Sequence, residues 1–282
     1  MTPRVVRGRT ELNAVLAGEH PGLVPTMGAL HEGHLALIRR SAEENPFTVV
    51  SVFVNPTQFH DPTDLDRYPR DLDRDTALAA RAGADLIFAP DVDAIYPTGF
   101  ATAVTVRGLT EQWEGVRRPG HFQGVATIVT ILLDLVRPAR SYFGEKDYQQ
   151  LQMIRRLHRD LALPGEIIAV PTVRDRDGLA LASRNARLSP AARAGASAIP
   201  RAIAAVNVSA RAGERNVDCL EAVGLAELKR SGIAVDYFAI VDGETLEPLS
   251  QLATGGRLLV AVEIEGVRLI DNAPIGVDAV AS

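Results

Sequence analysis

Short apolar runs that alternate with helix-spaced stretches constrain this chain more than any other feature of it. Gly22-Leu-Val-Pro, Thr48 to Val54, Ala84 to Ala89 and Glu166 to Val170 have the length and side-chain type of buried strands. Between them, Leu35 to Glu44, Leu72 to Ala82 and Gln123 to Leu135 repeat apolar residues at helical spacing. Strands that alternate with helices in this way run parallel, because each crossover helix returns the chain to start the next strand in the same direction. The expected fold class is α/β, a doubly wound parallel sheet. In such sheets ligands gather at the carboxyl ends of the strands, which directs attention to the loops leaving Val24, Val54 and a strand near Ser141 to Phe143.

After Pro171 the pattern changes. A polar turn, Arg174-Asp-Arg-Asp-Gly, precedes an Ala-rich helical stretch and two expected strands, Val235 to Val241 and Arg257 to Glu263. The reading is two domains: residues 1–172 with the parallel sheet, and a smaller α+β domain over residues 173–282. With 282 residues and 46% of them hydrophobic, the chain has material for two cores.

Charge and composition narrow the function classes. Lys and Arg number 30 against 35 Asp and Glu, so no general nucleic-acid-binding surface is expected. The most apolar stretch, Val125 to Val136, is too short for a bilayer and contains Asp134, and the N-terminus lacks an apolar signal core. The single cysteine, Cys219, cannot form an intrachain disulfide. A cytoplasmic protein without membrane or nucleic-acid partners is the expectation.

The first chemistry-bearing motif follows the first strong strand: Pro25-Thr-Met27-Gly28-Ala-Leu-His31-Glu-Gly33-His34. It opens a helix. Glycines allow close backbone approach, and free N–H groups in a first helical turn favour an anion such as a phosphate. His31 and His34, three apart, would face one side and could donate to phosphate oxygens. Two histidines capping or packing in a loop are the default explanation of such an isolated pair, and a metal site would need a third ligand that nothing nearby supplies.

Three further segments carry polar groups at places where a doubly wound sheet presents ligands. Asn55-Pro-Thr-Gln58 ends a strand, and Gln58 can bind a hydroxyl and a carboxylate together; Asn55 is as well explained by a turn. Glu114-Gly-Val-Arg-Arg118-Pro-Gly-His121 supplies a carboxylate, a guanidinium and an imidazole in what reads as a strand-to-helix connection. Phe143-Gly144-Glu-Lys146-Asp147-Tyr-Gln-Gln150 places charged residues between a strand end and a helix. Beyond the domain boundary, Val173-Arg-Asp-Arg-Asp-Gly-Leu-Ala-Leu181-Ala182-Ser183-Arg184-Asn185 offers the planar fork of Arg184, suited to phosphate oxygens or to a salt bridge with a neighbouring aspartate.

Taken in order, these segments resemble the pantothenate synthetase family. HEGH is similar to the HxGH signature of the nucleotidyltransferase superfamily, while PTMGALHEGH, SVFVNPTQF, FGEKDYQQ and the E-G-x-x-R-P-x-H-F segment resemble the family's own blocks. The resemblance runs from about Val24 to Asn185 and weakly on to Leu269-Ile-Asp-Asn272. It implies a Rossmann-like domain with a C-terminal lid, and ATP-dependent joining of pantoate to β-alanine through a pantoyl adenylate. ATP contacts are implied for Met27, Gly28, His31, His34, Gly144, Lys146, Asp147, Val173, Leu181, Ala182, Ser183 and Arg184. Of these, His34, His31, Lys146 and Arg184 are the implied catalytic groups. Gln58, Gln150, Asn55, Arg118, Glu114 and His121 are implied to line the pantoate and β-alanine end.

Tyr68 and Arg70 match the family's YPR element, although a surface turn accounts for them. Mg²⁺ is implied with ATP, without a protein ligand; Asp73 and Asp75 are weak candidates. A homodimer is implied too. The chain departs from the usual LAMSSRN, with Leu181 for methionine and Ala182 for serine, so a hydroxyl that relatives carry is absent. Rival readings are another HxGH enzyme that leaves the nucleotide on its product, a tRNA synthetase and a nucleotide-binding regulatory module.

Overall fold

The computed structural model describes residues 2–59 and 62–276. Contacts divide the chain into two compact units, Met1–Glu145 with Gln149–Pro171, and Lys146–Tyr148 with Thr172–Ser282. The short segment Lys146–Tyr148, which the sequence reading places in the first domain, groups with the second unit.

In the first unit β1 (Arg4–Val6), β2 (Gly22–Thr26), β3 (Thr48–Val52), β4 (Leu86–Phe88), β5 (Arg140–Gly144) and β6 (Glu166–Val170) form one sheet in the order β1-β4-β3-β2-β5-β6. Every pairing is parallel. Val24, Val50 and Ile87 bury one face against the helices Glu32–Glu44 and Leu72–Ala82. Side chains alternate along a strand, so the equally buried Leu23, Val49 and Leu86 point the other way. The helix His121–Val136 packs against β2. A sheet covered on both faces needs strands apolar throughout, which is how β2 and β3 read.

The strand order reverses at β2, whose neighbours are β3 on one side and β5 on the other. Pairing of β2 with β3 runs through Thr26 and Val52, but pairing of β2 with β5 stops at Leu23 and Ser141. The two strands therefore part towards their carboxyl ends. That opening is the switch-point crevice in which doubly wound sheets bind ligands.

The second unit contains an antiparallel sheet, β7 (Ala234–Val241), β8 (Gly256–Ile264) and β9 (Val267–Ile275). The sequence reading expected two strands here. β9 escapes it because Asp271, Asn272 and Pro274 interrupt its apolar alternation. The two polar residues are nonetheless buried, and each has a partner. Arg174 donates to Asp271 through two nitrogens, at 2.7 and 2.9 Å, and Arg257 Nε donates to Asn272 Oδ1 at 2.7 Å. Helices Ala198–Arg211 and Val217–Arg230 supply Ile199, Val206 and Leu220 to the core formed with Phe238, Ile240, Leu258 and Val260.

Removing one member of a buried ion pair strands the other without solvent or partner. An Asp271→Ala variant should lose about 3 kcal/mol of stability, allowing for the partial exposure of Arg174. Urea unfolding followed by circular dichroism measures this, and an unshifted midpoint would contradict it.

Candidate active site

The histidine motif leaves β2 at Thr26 and enters the helix Glu32–Glu44. His31 is the N-cap: its Nδ1 accepts the Gly33 N–H at 3.1 Å, and the His34 Nδ1 accepts the His31 N–H at 3.3 Å. The two rings cap the helix reciprocally, in the place usually taken by Ser or Thr with Glu. A nitrogen that accepts carries no proton, so in the neutral rings the proton of each sits on Nε2. The ring centroids lie 4.1 Å apart. Position 33 must be glycine for this: a Cβ there would come within 2.9 Å of His31 Cε1 and 3.0 Å of its Nδ1.

Ahead of the cap, Gly28 and Ala29 both have positive φ, 76° and 51°. Successive N–H groups in such a turn converge into an anion-binding concavity. The carboxylate of buried Asp75, on the helix Leu72–Ala82, occupies it, accepting the N–H groups of Ala29 and Leu30 at 2.8 Å each. The N–H groups expected to meet a phosphate are those of the first helical turn; among them the Gly33 N–H is used internally, as are the N–H groups of Ala29, Leu30 and His31 ahead of it.

Asn55 and Gln58 follow β3 and contact each other. Asn55 caps the turn Pro56–Gln58, and its Nδ2 donates to Gln58 Oε1 and to the Gly124 carbonyl, both at 3.1 Å. Tyr96 donates to Asn55 Oδ1 at 2.8 Å. Burial raises the Tyr96 hydroxyl above its ordinary pKa. Gln58 Nε2 faces the Met27 sulfur at 2.8 Å, a weak acceptor that a carboxylate would readily replace.

Buried His121 joins Gln58 to Arg118. Its Nδ1 lies 3.0 Å from the Gln58 carbonyl, which only accepts, and its Nε2 lies 3.0 Å from Arg118 Nη1, which only donates. This pairing requires a neutral ring with its proton on Nδ1. His121 begins a helix, with Gly120 as its N-cap. Glu114 is buried and starts the helical turn Glu114–Arg117, its N–H donating to Gln149 Oε1 at 3.0 Å. The Gln149 amide in turn donates to the carbonyls of Leu109 and Gln112. Gln150 is half-buried beside it, and Gly144 ends β5.

In the second unit Lys146, Ala182 and Arg184 line one small cleft together with Asn185 and Arg268. A larger cleft on the same unit, around Asn207 and Arg211, contains no residue of the motifs. Asn272 Nδ2, in the LIDN element, donates to the Lys146 carbonyl at 2.9 Å. Tyr148 donates to the Gly243 carbonyl at 2.9 Å and stacks beneath the Arg257 guanidinium. Lys146 Nζ lies 3.6 Å from Asp147 Oδ1.

The loop Val173–Asn185 is fixed by its own backbone. Arg174 bridges Ala180, Leu181 donates to the Val173 carbonyl, and Asn185 Nδ2 donates to the Ala180 carbonyl. Ser183 and Arg184 are exposed on the turn Ser183–Arg187. The salt bridge considered for Arg184 is not formed, because Arg193 takes both nearby carboxylates, Asp175 and Asp177, at 2.6 Å. Arg193 holds the Asp177 carboxyl below its ordinary range, and Asp175 is held low by the Arg176 N–H and then by Arg193. This support for the turn is complete above the usual carboxylate range and fades as the pH falls through the depressed values.

Tyr68 and Arg70 remain at the surface turn, with Arg70 bonded to the carbonyls of Leu65 and Tyr68. Among the described residues no group of three or more potential metal-ligating side chains comes together.

The family model for pantoate–β-alanine ligase matches residues 4–274. The chain belongs to the pantoate–β-alanine ligase family. It is 54% identical to the pantothenate synthetase of Thermus thermophilus over 270 residues, covering 95% of this chain and 98% of that one. The pantothenate synthetase of Deinococcus radiodurans is 51% identical over 262 residues, covering 90% and 93%. The crystal structure of the Thermus thermophilus synthetase superposes with a TM-score of 0.92 over 96% of this chain and 98% of its own. A Francisella tularensis pantoate–β-alanine ligase, complexed with β,γ-ATP and β-alanine, is 33% identical and superposes with a TM-score of 0.79 over 96% and 97%.

Sequence reasoning gave no site role to Tyr96, Gln149 or Asn272 and considered Asp75 only for a metal, yet each holds a residue of the motifs or its backbone. Gln149 and Asn272 lie inside segments that resemble the family, Asp75 is an acidic residue on an expected helix, and Tyr96 belongs to no motif.

Proposed function

We propose that this ligase joins pantoate to β-alanine with ATP, by way of a pantoyl adenylate. The reading rests on family membership and on one observation: a reciprocal cap that fixes the tautomers of both motif histidines, with Nε2–H as the donor of each.

A carboxylate is a poor electrophile, and joining it to AMP turns one of its oxygens into part of a good leaving group. One pantoate carboxylate oxygen attacks the α-phosphorus in line, and the bond to the departing pyrophosphate breaks. His34 donates through Nε2–H to an α-phosphate oxygen as charge builds there, with His31 beside it. Lys146 and Arg184 balance charge on the phosphate oxygens. The other ATP contacts proposed are Met27, Gly28, Gly144, Asp147, Val173, Leu181, Ala182 and Ser183. In this role Gly28 shapes the turn, since the N–H groups of the next two residues are taken by Asp75.

The neutral amine of β-alanine then attacks the acyl carbon, losing a proton as AMP leaves with the bonding electron pair. Gln58 and Gln150 are proposed to hold pantoate, with Asn55 orienting Gln58. Glu114, Arg118 and His121 line the remaining acid and amine end. His121, with both ring nitrogens engaged, orients Arg118 for a carboxylate.

Mg²⁺ fits as an ion brought by the triphosphate: Asp75 is committed to two N–H groups and Asp73 stands exposed, so neither forms a cage. It would neutralise phosphate charge. No helix among the described residues is long and apolar enough to cross a membrane. A cytoplasmic homodimer, acting on small molecules, completes the proposal.

The test is an assay containing ATP, pantoate, β-alanine and Mg²⁺, with each omitted in turn. Ligation releases AMP and pyrophosphate together only in the complete mixture, and pantoate alone supports exchange of labelled pyrophosphate into ATP. A nucleotide retained on the product would instead identify a simple nucleotidyl transfer.

A further inference from the structure

We propose that Asp75 is a positioning residue for adenylation, acting through the backbone on His31 and His34; the inference rests on the role given to His34 above. Three observations converge on it. Asp75 is 1% exposed, yet its carboxylate is satisfied by the N–H groups of Ala29 and Leu30, one per oxygen, rather than by a cation. Those groups belong to the two residues immediately before the N-cap histidine, so the carboxylate fixes the direction in which the chain enters the helix. The turn it fills is one that an L-residue adopts reluctantly, with φ of 51° at Ala29.

Close packing makes the arrangement exclusive. A Cβ on Gly28 would lie 2.7 Å from Asp75 Oδ2 and 3.0 Å from a Val52 methyl. Gly28 is thus hemmed in by strand β3 on one side and the Asp75 carboxylate on the other, and a shift of the carboxylate shifts the turn that leads into the cap. The cap hydrogen bonds in turn decide which imidazole nitrogens carry protons. Asp75 therefore sets both the place and the tautomer of the donors without touching substrate.

The conservative change Asp75→Asn preserves shape but sets an NH₂ group against one of the two N–H groups, two donors facing each other in a buried site. Its expected effect is a fall of about 10- to 100-fold in the rate of pyrophosphate exchange, by analogy with the loss of a group that orients a metal-ligating histidine. The KM for pantoate should change little. The decisive comparison repeats Asp75→Asn in a His34→Ala background. A positioning role predicts a clearly smaller loss there, the remainder acting through His31, whereas equal losses in both backgrounds would overturn the proposal.

Imidazole ¹⁵N shifts give a readout that needs no substrate. In the parent protein Nδ1 of His31 and His34 should report an unprotonated acceptor, and in Asp75→Asn a tautomer mixture; unchanged ring shifts in the variant would overturn the role. Asp75→Glu, which keeps the charge and moves it by one methylene, answers the same question if the amide variant does not fold. A parent protein that shows no exchange with pantoate counts against the proposed function, while the ring shifts still decide the positioning role.

Discussion

A His34→Ala variant is expected to lose pyrophosphate exchange by about 10³-fold, the scale at which removing one preorganised donor from a developing oxyanion is felt. Two functions leave with the ring. One is the Nε2–H donor, and the other is the Nδ1 acceptor that takes the His31 N–H at 3.3 Å. They can be separated. Aspartate at position 34 can accept that N–H but has no proton to give at neutral pH, so His34→Asp should keep the helix start and still lose the rate. Asparagine can accept with one atom and donate with the other, and should recover part of it. Exchange at the parent rate in His34→Ala would remove the histidine from the mechanism.

The second large effect is expected at Lys146. Lys146→Ala should lower kcat/KM for ATP by about 10²- to 10³-fold with little change in melting temperature. The backbone there is held independently of the side chain: Asn272 binds the Lys146 carbonyl and Tyr148 is anchored to Gly243. The ammonium's contact with Asp147, at 3.6 Å and with the aspartate half exposed, contributes little to folding. Steady-state kinetics alongside a thermal melt checks both halves of the expectation. A variant with nearly parental kcat/KM would show that the lysine is an ordinary surface charge.

What the sequence made legible was whatever depends on neighbours along the chain. β2, β3 and β6 could be read from their apolar runs, and the helices behind them from spacing, because burial on a sheet imposes those patterns locally. The strand Arg4–Val6 could not: three residues paired on one side only, to β4, carry too short a pattern. β9 could not either, since its buried polar residues find their partners outside the strand. Arg174 serves Asp271 from 97 positions away, and Arg257 serves Asn272 from 15. The same limit applied to the site. His31 and His34 announce themselves three residues apart, but the carboxylate that holds their loop, Asp75, belongs to a different helix. For Arg184 the sequence offers phosphate or an aspartate as partner, and the two aspartates are held by Arg193, a residue the local motif does not include.

The helix start built from two imidazoles has a consequence for anyone who would stabilise this enzyme. Rules for improving helices recommend serine, threonine or aspartate at position 31 and glutamate at position 34, a substitution pair that ordinarily strengthens a protein. Here the residues that begin the helix are also the proposed reagents. A thermostable version must therefore gain its stability elsewhere, and a screen on melting temperature alone would select against turnover at this turn.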